Sequence, residues 1–325
     1  MLTIFTSAKA FRDRAEVHQN NAIQSWLRLF PDVEILIFGN EYGVDEITRR
    51  YGLRNIPQVE RTELGTPILS GMFSEAQRLA RHELVAYVNA DIILMEDFER
   101  AVRRVSRWRS QFVMVSHRWD IDLNEPLGFS ADWRSQLRRR VARTARLSDS
   151  SALDCFVFRR GVIRDMPPFA IGRPAWDNWL IKHLLASNIP IVDATGDYIA
   201  VHPNHGYGHV PKASGQVWEG PEADRNRALA RAMDRNFRPD LYTVKSATHI
   251  LRRGLVLPAW TPPHLSWRLH TVAQLSDSGF WRIARLARRL LSPLVLLRQA
   301  RERAGAWTRG LRKIVKTAGH VDRRN

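Results

Sequence analysis

The sequence predicts an α/β protein: a mostly parallel sheet flanked by helices, followed by a basic helical C-terminal region. Three observations carry that expectation. Short β-rich runs alternate with longer helical patterns through the first 200 residues, the pattern of strands joined by crossover helices. Of 325 residues, 44% are hydrophobic and 9% aromatic, which suits a sizeable core and excludes a disordered chain. The charge is divided unevenly: residues 1–240 carry 33 Lys+Arg against 30 Asp+Glu, residues 241–325 carry 17 against 3, and the net +17 splits into +3 and +14. The expected organisation is a nearly neutral α/β body over 1–240 and a basic, partly amphipathic helical region over 241–325.

The elements follow in order. Leu2–Thr6 reads as a strand and Val17–Leu29 as a helix; the strand Val33–Phe38 is stopped by Gly39-Asn40. Helices are expected near Val44–Tyr51 and Leu69–His82, the second with Met72, Ala76, Leu79 and Ala80 on one face. Leu84–Val88 is a buried-type strand that runs into Asn89-Ala90-Asp91. Asp97–Arg109 turns Phe98, Val102 and Val105 inward, and Phe112–Ser116 is the next strand. Trp133–Leu147 holds six arginines and no acid. Asp154–Phe158 and Ile189–Asp193 read as strands, Asp177–Ala186 and Pro221–Asn236 as helices. Beyond Pro239-Asp240, a leucine-rich stripe over Phe280–Leu297 has its arginines mostly off the stripe, with Pro293 interrupting the helix.

Several classes are excluded. A single cysteine, Cys155, allows neither a disulfide framework nor a Cys-rich zinc site. No apolar run is long enough for a membrane-spanning helix, and residues 1–9 do not resemble a secretory signal, so a cytoplasmic protein is expected. No phosphate-binding Gly-x-x-x-x-Gly-Lys-Ser/Thr, no Gly-x-Gly-x-x-Gly after the first strand and no Gly-x-Ser-x-Gly elbow occur.

Ligands of such sheets bind outside the carboxyl ends of the strands. Asp91, at the end of an apolar strand, stands at that edge. A carboxylate there either holds Mg²⁺ or Mn²⁺ against a diphosphate or caps the following turn. Asp177 opens a helix between Trp176 and Trp179 and is either a general base or an acid favoured by the helix dipole. Val201–His209 holds three histidines, a metal-binding loop or merely a polar one.

With these three segments in this order, residues 1–235 resemble the glycosyltransferases of the GT-A fold, the nucleotide-diphospho-sugar transferases, whose sheet is Rossmann-like. Their Asp-x-Asp motif corresponds to Asn89-Ala90-Asp91, with an amide replacing the first carboxylate. The resemblance implies that Asp91, with His202 or His205, binds a divalent cation, Mn²⁺ or Mg²⁺, on the diphosphate of a nucleotide sugar. Asp177 would orient or deprotonate a hydroxyl acceptor, with Trp176 and Trp179 stacking on sugar rings. Thr6, Ser7 and Lys9 after the first strand, Gly39 after the second, and Asn89 would receive the donor. Asp120 and Asp154 would face acceptor or donor sugar.

The basic region suggests a further partner. Its leucine stripe suits an anionic membrane better than nucleic acid, and residues 280–316 would place the enzyme on the inner face of the cell membrane, near a glycan or lipid-linked acceptor. The rival class is a non-catalytic basic protein that binds membrane or nucleic acid.

Overall fold

The computed structural model describes residues 1–205, 217–235 and 237–275. The strands are β1 (Leu2–Ser7), β2 (Glu34–Phe38), β3 (Arg54–Ile56), β4 (Leu84–Val88), β5 (Val113–Val115), β6 (Arg118–Ile121), β7 (Arg146–Leu147), β8 (Cys155–Arg159), β9 (Ile191–Asp193), β10 (Ala200–Pro203), β11 (His249–Arg252) and β12 (Leu255–Pro258). The helices are α1 (Asp13–Trp26), α2 (Val44–Tyr51), α3 (Leu69–Leu79), α4 (Glu96–Trp108), α5 (Trp133–Thr144), α6 (Trp176–Ala186), α7 (Pro221–Met233) and α8 (Pro262–Leu275).

Among the described residues, nine strands form one sheet in the order β12-β11-β9-β5-β8-β4-β1-β2-β3. Only β8 and β12 run against the rest. The parallel run β3-β2-β1-β4 has the order of a doubly wound α/β half-sheet. The mostly parallel, Rossmann-like architecture expected from the sequence is therefore the observed one. Alternation along each strand feeds two apolar layers. Ile4, Ala86 and Val88 enter one core, whereas Phe5, Val85 and Tyr87 enter the other.

Differences from expectation lie where local signals are weak. Helix α1 begins at Asp13 rather than Val17, because its first turn is polar and shows no apolar periodicity. Strands β3, β6, β7 and β10 are too short for a period-two pattern. Of these, β10-β6-β7 form a second, three-stranded sheet. The first compact unit runs to Ala259, past residue 240, because the β11–β12 hairpin extends the large sheet beside β9. A second unit begins at Trp260 and contains α8. The leucine stripe over 280–297 and the membrane-contact region 280–316 lie outside the described residues.

Candidate active site

Strand β4 ends at Val88, and Asn89 continues its pairing by one residue, donating its backbone N–H to the Asp154 carbonyl at 2.9 Å. A tight turn follows, closed by Ile92 N–H on the Asn89 carbonyl at 3.0 Å, and it presents Asp91 at the carboxyl edge of the sheet. Helix α1 pins this segment. The Trp26 indole donates to the Ile92 carbonyl at 2.8 Å, and the Ser25 hydroxyl accepts from Leu94 N–H at 3.0 Å.

The histidines arrive from the other end of the chain. Ile93 and Val201 exchange two backbone hydrogen bonds, 2.9 and 3.0 Å long, which clamps β10 onto the Asp91 segment. Parallel pairing of β10 with β6 sets His202 opposite Asp120, and His202 Nδ1 lies 3.0 Å from Asp120 Oδ1. Asn204 N–H donates to the Ile121 carbonyl at 2.8 Å and fixes the turn that delivers His205. His205 Nε2 reaches Asp91 Oδ2 at 3.0 Å. Asp91, His202 and His205 can each offer a donor atom, and these atoms lie within 4.8 Å of one another. One carboxylate and two imidazoles at that spacing fit a divalent cation, and the nitrogen donors favour Mn²⁺ over the harder Mg²⁺. Of the expected histidine loop, residues 206–209 lie outside the described residues.

The Lys9 ammonium also meets this cluster, 3.2 Å from Asp91 Oδ2. Burial alone would raise the Asp91 carboxyl, but the Lys9 charge and the His205 and His202 rings outweigh it and hold the group well below the usual range. Asp91 is therefore ionised and ready to act as a ligand.

A second chain of contacts joins the remaining predicted acids. The Tyr87 hydroxyl donates to Asn89 Oδ1 at 2.7 Å, and the Asn89 amide donates to the Asp154 carboxylate. Arg118 donates from Nη1 to Asp154 Oδ2 at 2.7 Å and from Nε to Asp120 Oδ1 at 2.9 Å. Burial would raise the Asp120 carboxyl, yet the His202 bond and the Arg118 charge keep it lowered. Asn89, Asp154 and Asp120 thus belong to one network that ends on His202.

Asp177 stands in the first turn of α6, close enough to Asp154 to feel its charge. Burial pushes its carboxyl up to about 7, against the hydrogen bond from Asn178 N–H and with added repulsion from Asp154. The residue before the helix, Ala175, holds φ of 81° although it carries a side chain and is buried. Backbone strain of this kind gathers at functional sites, where the surroundings enforce it. Tyr87 connects the two halves of the site: burial, then Asp154, Asp91 and Asp177 in turn, raise its phenol.

The two flanking tryptophans, expected to stack on sugar rings, lie in the core. Trp176 is 5% exposed and packs against Tyr87, Phe156 and Phe73; Trp179 is 3% exposed, stacked on His183 and packed against Phe169. Their ring faces are taken by the core, so they anchor α6 beneath Asp177. Thr6 and Ser7 end β1, and Ser7 pairs in register with Phe38, next to Gly39. The Thr6 hydroxyl is buried with no hydrogen-bond partner among the described residues. Gly39 has φ of 108°, and a side chain there would strike the Glu41 carboxylate. These three residues occupy the sheet edge on the β2 side of Asp91.

Sequence reasoning missed Arg118 and His18. Arg118 and Asp120 are two apart on β6 and so share a face, a signal obscured because so short a strand shows no period. His18, on α1, is buried, its Nε2 has no hydrogen-bond partner among the described residues, and its ring lies 6.0 Å from that of His205. Burial first, then the neighbouring imidazoles, lower its pKa against the pull of Asn124 and Asp91. Burial also pushes the Cys155 thiol up to about 12, so it offers no thiolate near neutral pH.

No protein-family model matches the chain, and no curated protein matches it. Among solved structures, the chain is similar to several at low sequence identity. One is the Staphylococcus aureus TarS fragment 1–349, at 13% identity and a TM-score of 0.38, covering 63% of this chain and 59% of that one. The chain thus spans less than two thirds of that protein's length. Another is the mannosyltransferase PcManGT from Pyrobaculum calidifontis in complex with GDP-Man and Mn²⁺, at 12% identity and a TM-score of 0.43, covering 90% of this chain and 84% of that one. A third is glucosyl-3-phosphoglycerate synthase from Mycobacterium tuberculosis, in complex with Mn²⁺, UDP and phosphoglyceric acid, at 12% identity and a TM-score of 0.41, covering 71% and 78%.

Proposed function

We propose that this protein is a glycosyltransferase that moves a sugar, of hexose type, from a nucleotide-diphosphate sugar to a hydroxyl acceptor. The observation that carries the reading is the convergence of Asp91, His202 and His205 at the carboxyl edge of the sheet. The three sequence motifs that resemble GT-A enzymes supply these residues and Asp177. An acid tuned toward neutrality, linked through Asp154 to the network that ends on His202, is an expensive arrangement for a passive binding surface, and it favours an enzyme over a non-catalytic basic protein.

In this reading Asp91, His202 and His205 hold Mn²⁺ or Mg²⁺. Such a cation, when bound, neutralises charge developing on the departing diphosphate. Thr6, Ser7 and Gly39 border the nucleotide end. Asn89 and Arg118 keep Asp154 and Asp120 fixed beside the sugar. Asp177, ionised above about 7, accepts the proton of the attacking hydroxyl. Among the described residues no helix is long and apolar enough to cross a membrane. The basic region 280–316 would instead bring a cytoplasmic enzyme to an anionic surface, where a lipid-linked or polysaccharide acceptor is assembled.

Release of nucleoside diphosphate from a panel of nucleotide sugars, with Mn²⁺ or Mg²⁺, tests the catalytic claim. Turnover of one donor that stops on chelation supports it; absence of both binding and turnover across the panel contradicts it. Co-sedimentation with anionic vesicles, comparing the full chain with a version lacking 280–316, tests the membrane claim, and equal weak binding would remove it.

A further inference from the structure

Lys9 occupies the place where charge is most needed. Its ammonium lies 3.2 Å from Asp91 Oδ2 and 3.4 Å from His205 Nε2, while His205 Nε2 touches that same oxygen at 3.0 Å. A divalent ion held by Asp91 and His205 would sit about 2.0–2.3 Å from each donor atom. An ammonium between the same two groups would then oppose it, through like charge and through occupied space.

The backbone of Lys9 is not free to drift. The Gln19 side chain, 1% exposed on α1, accepts from Lys9 N–H at 2.7 Å and donates to the Lys9 carbonyl at 3.0 Å. A buried amide that bonds the backbone on both sides of the Lys9 Cα fixes the root of the side chain and leaves only its stem to move. That stem is flexible, 29% exposed at the site edge, and ends in a compact cation that binds phosphate well.

We propose that Lys9 is a resident counter-ion: it neutralises Asp91 before a divalent cation arrives, is displaced by that cation, and then places its ammonium on the diphosphate of the donor. The last step rests on the glycosyl-transfer reading; the exchange at Asp91 rests on geometry alone. The arrangement makes cation binding weak in the empty enzyme and couples it to arrival of the diphosphate, which gives the displaced ammonium a new partner.

The test measures Mn²⁺ binding to the full chain by electron paramagnetic resonance of the free ion, with and without inorganic pyrophosphate. Lys9→Met, which keeps the stem, is expected to bind Mn²⁺ alone about tenfold more tightly than the unaltered protein, and pyrophosphate in the presence of Mn²⁺ about tenfold more weakly. Lys9→Arg, which keeps the charge, should retain the weak binding of Mn²⁺ alone. If the unaltered protein binds Mn²⁺ and Lys9→Met binds it no more tightly, the exchange is wrong. If pyrophosphate affinity is unchanged in Lys9→Met, the diphosphate role is wrong. Failure of every form to bind Mn²⁺ would overturn the metal site itself, together with the exchange.

Discussion

Asn89 and Asp154 face each other across the end of the β4–β8 pairing, joined by backbone to backbone at 2.9 Å and by amide to carboxylate. This gives the amide of Asn89 a structural role. A carboxylate at 89 would meet the Asp154 carboxylate directly, whereas an amide donates to it.

Asn89→Asp should therefore place two like charges together, and one of them should take up a proton. Its pKa would be raised in the folded state, so the loss of stability should be fully present at pH 8 and shrink as the pH falls below that raised value. A loss of about 1–3 kcal/mol in urea unfolding at pH 8 is expected. An equal deficit at pH 5 and 8 would show that repulsion is not its cause.

Asp177 gives a pH signature. As a base it works only when ionised, so kcat should rise with pH through about 7 and Asp177→Asn should abolish the rise. The stability effect has the opposite sense. An acid whose folded pKa lies above its unfolded value stabilises the fold at low pH, and that contribution is lost as the pH rises toward about 7. Asp177→Asn should then be more stable than the unaltered protein at pH 8, by about 1–2 kcal/mol, and gain nothing at pH 4.

Arg118 is ion-paired with both Asp154 and Asp120. Replacing it with Met strands two partly buried carboxylates and should cost about 2–4 kcal/mol in chemical denaturation. The Asp120 carboxyl should titrate higher in the variant, visible by carboxyl-resolved NMR, since Arg118 is among the groups that hold it down.

Arg173 and Glu222 form a buried pair away from the acids, at 2.7 Å and 5% and 2% exposed, with the Thr62 and Thr66 hydroxyls donating to the same carboxylate. It ties the start of α7 to the loop that leads into α6. Glu222→Ala alone should cost about 3–5 kcal/mol, because it removes the carboxylate that faces a buried guanidinium and accepts from two threonine hydroxyls. Arg173→Met combined with Glu222→Leu should cost clearly less than the sum of the single changes, a coupling that a double-mutant cycle reads directly.

The sequence revealed this molecule unevenly, for physical reasons. Strands β1, β2 and β4 announced themselves because both faces are buried and their apolar runs are nearly continuous. Asp91 was legible as the first acid beyond such a run. The partnership of His202 with Asp120 was not, because it depends on the parallel register of two four-residue strands separated by 82 positions. The burial of Trp176 and Trp179 was not legible, because an aromatic beside an acid at a helix start has the same local pattern whether its ring faces ligand or core. Arg118 was hidden by its neighbours, since one arginine among fifty Lys+Arg carries no signal until a fold surrounds it with carboxylates.

The central claim is that Asp91 holds the cation that lets a nucleotide sugar react. Nucleoside diphosphate release by the unaltered protein and by Asp91→Asn, each titrated with Mn²⁺ on the best donor, addresses it most directly. Mn²⁺-dependent turnover is expected in the first and a loss of at least about 100-fold in kcat/KM in the second, with Mn²⁺ no longer saturating. Full activity and an unchanged Mn²⁺ dependence in Asp91→Asn would contradict it.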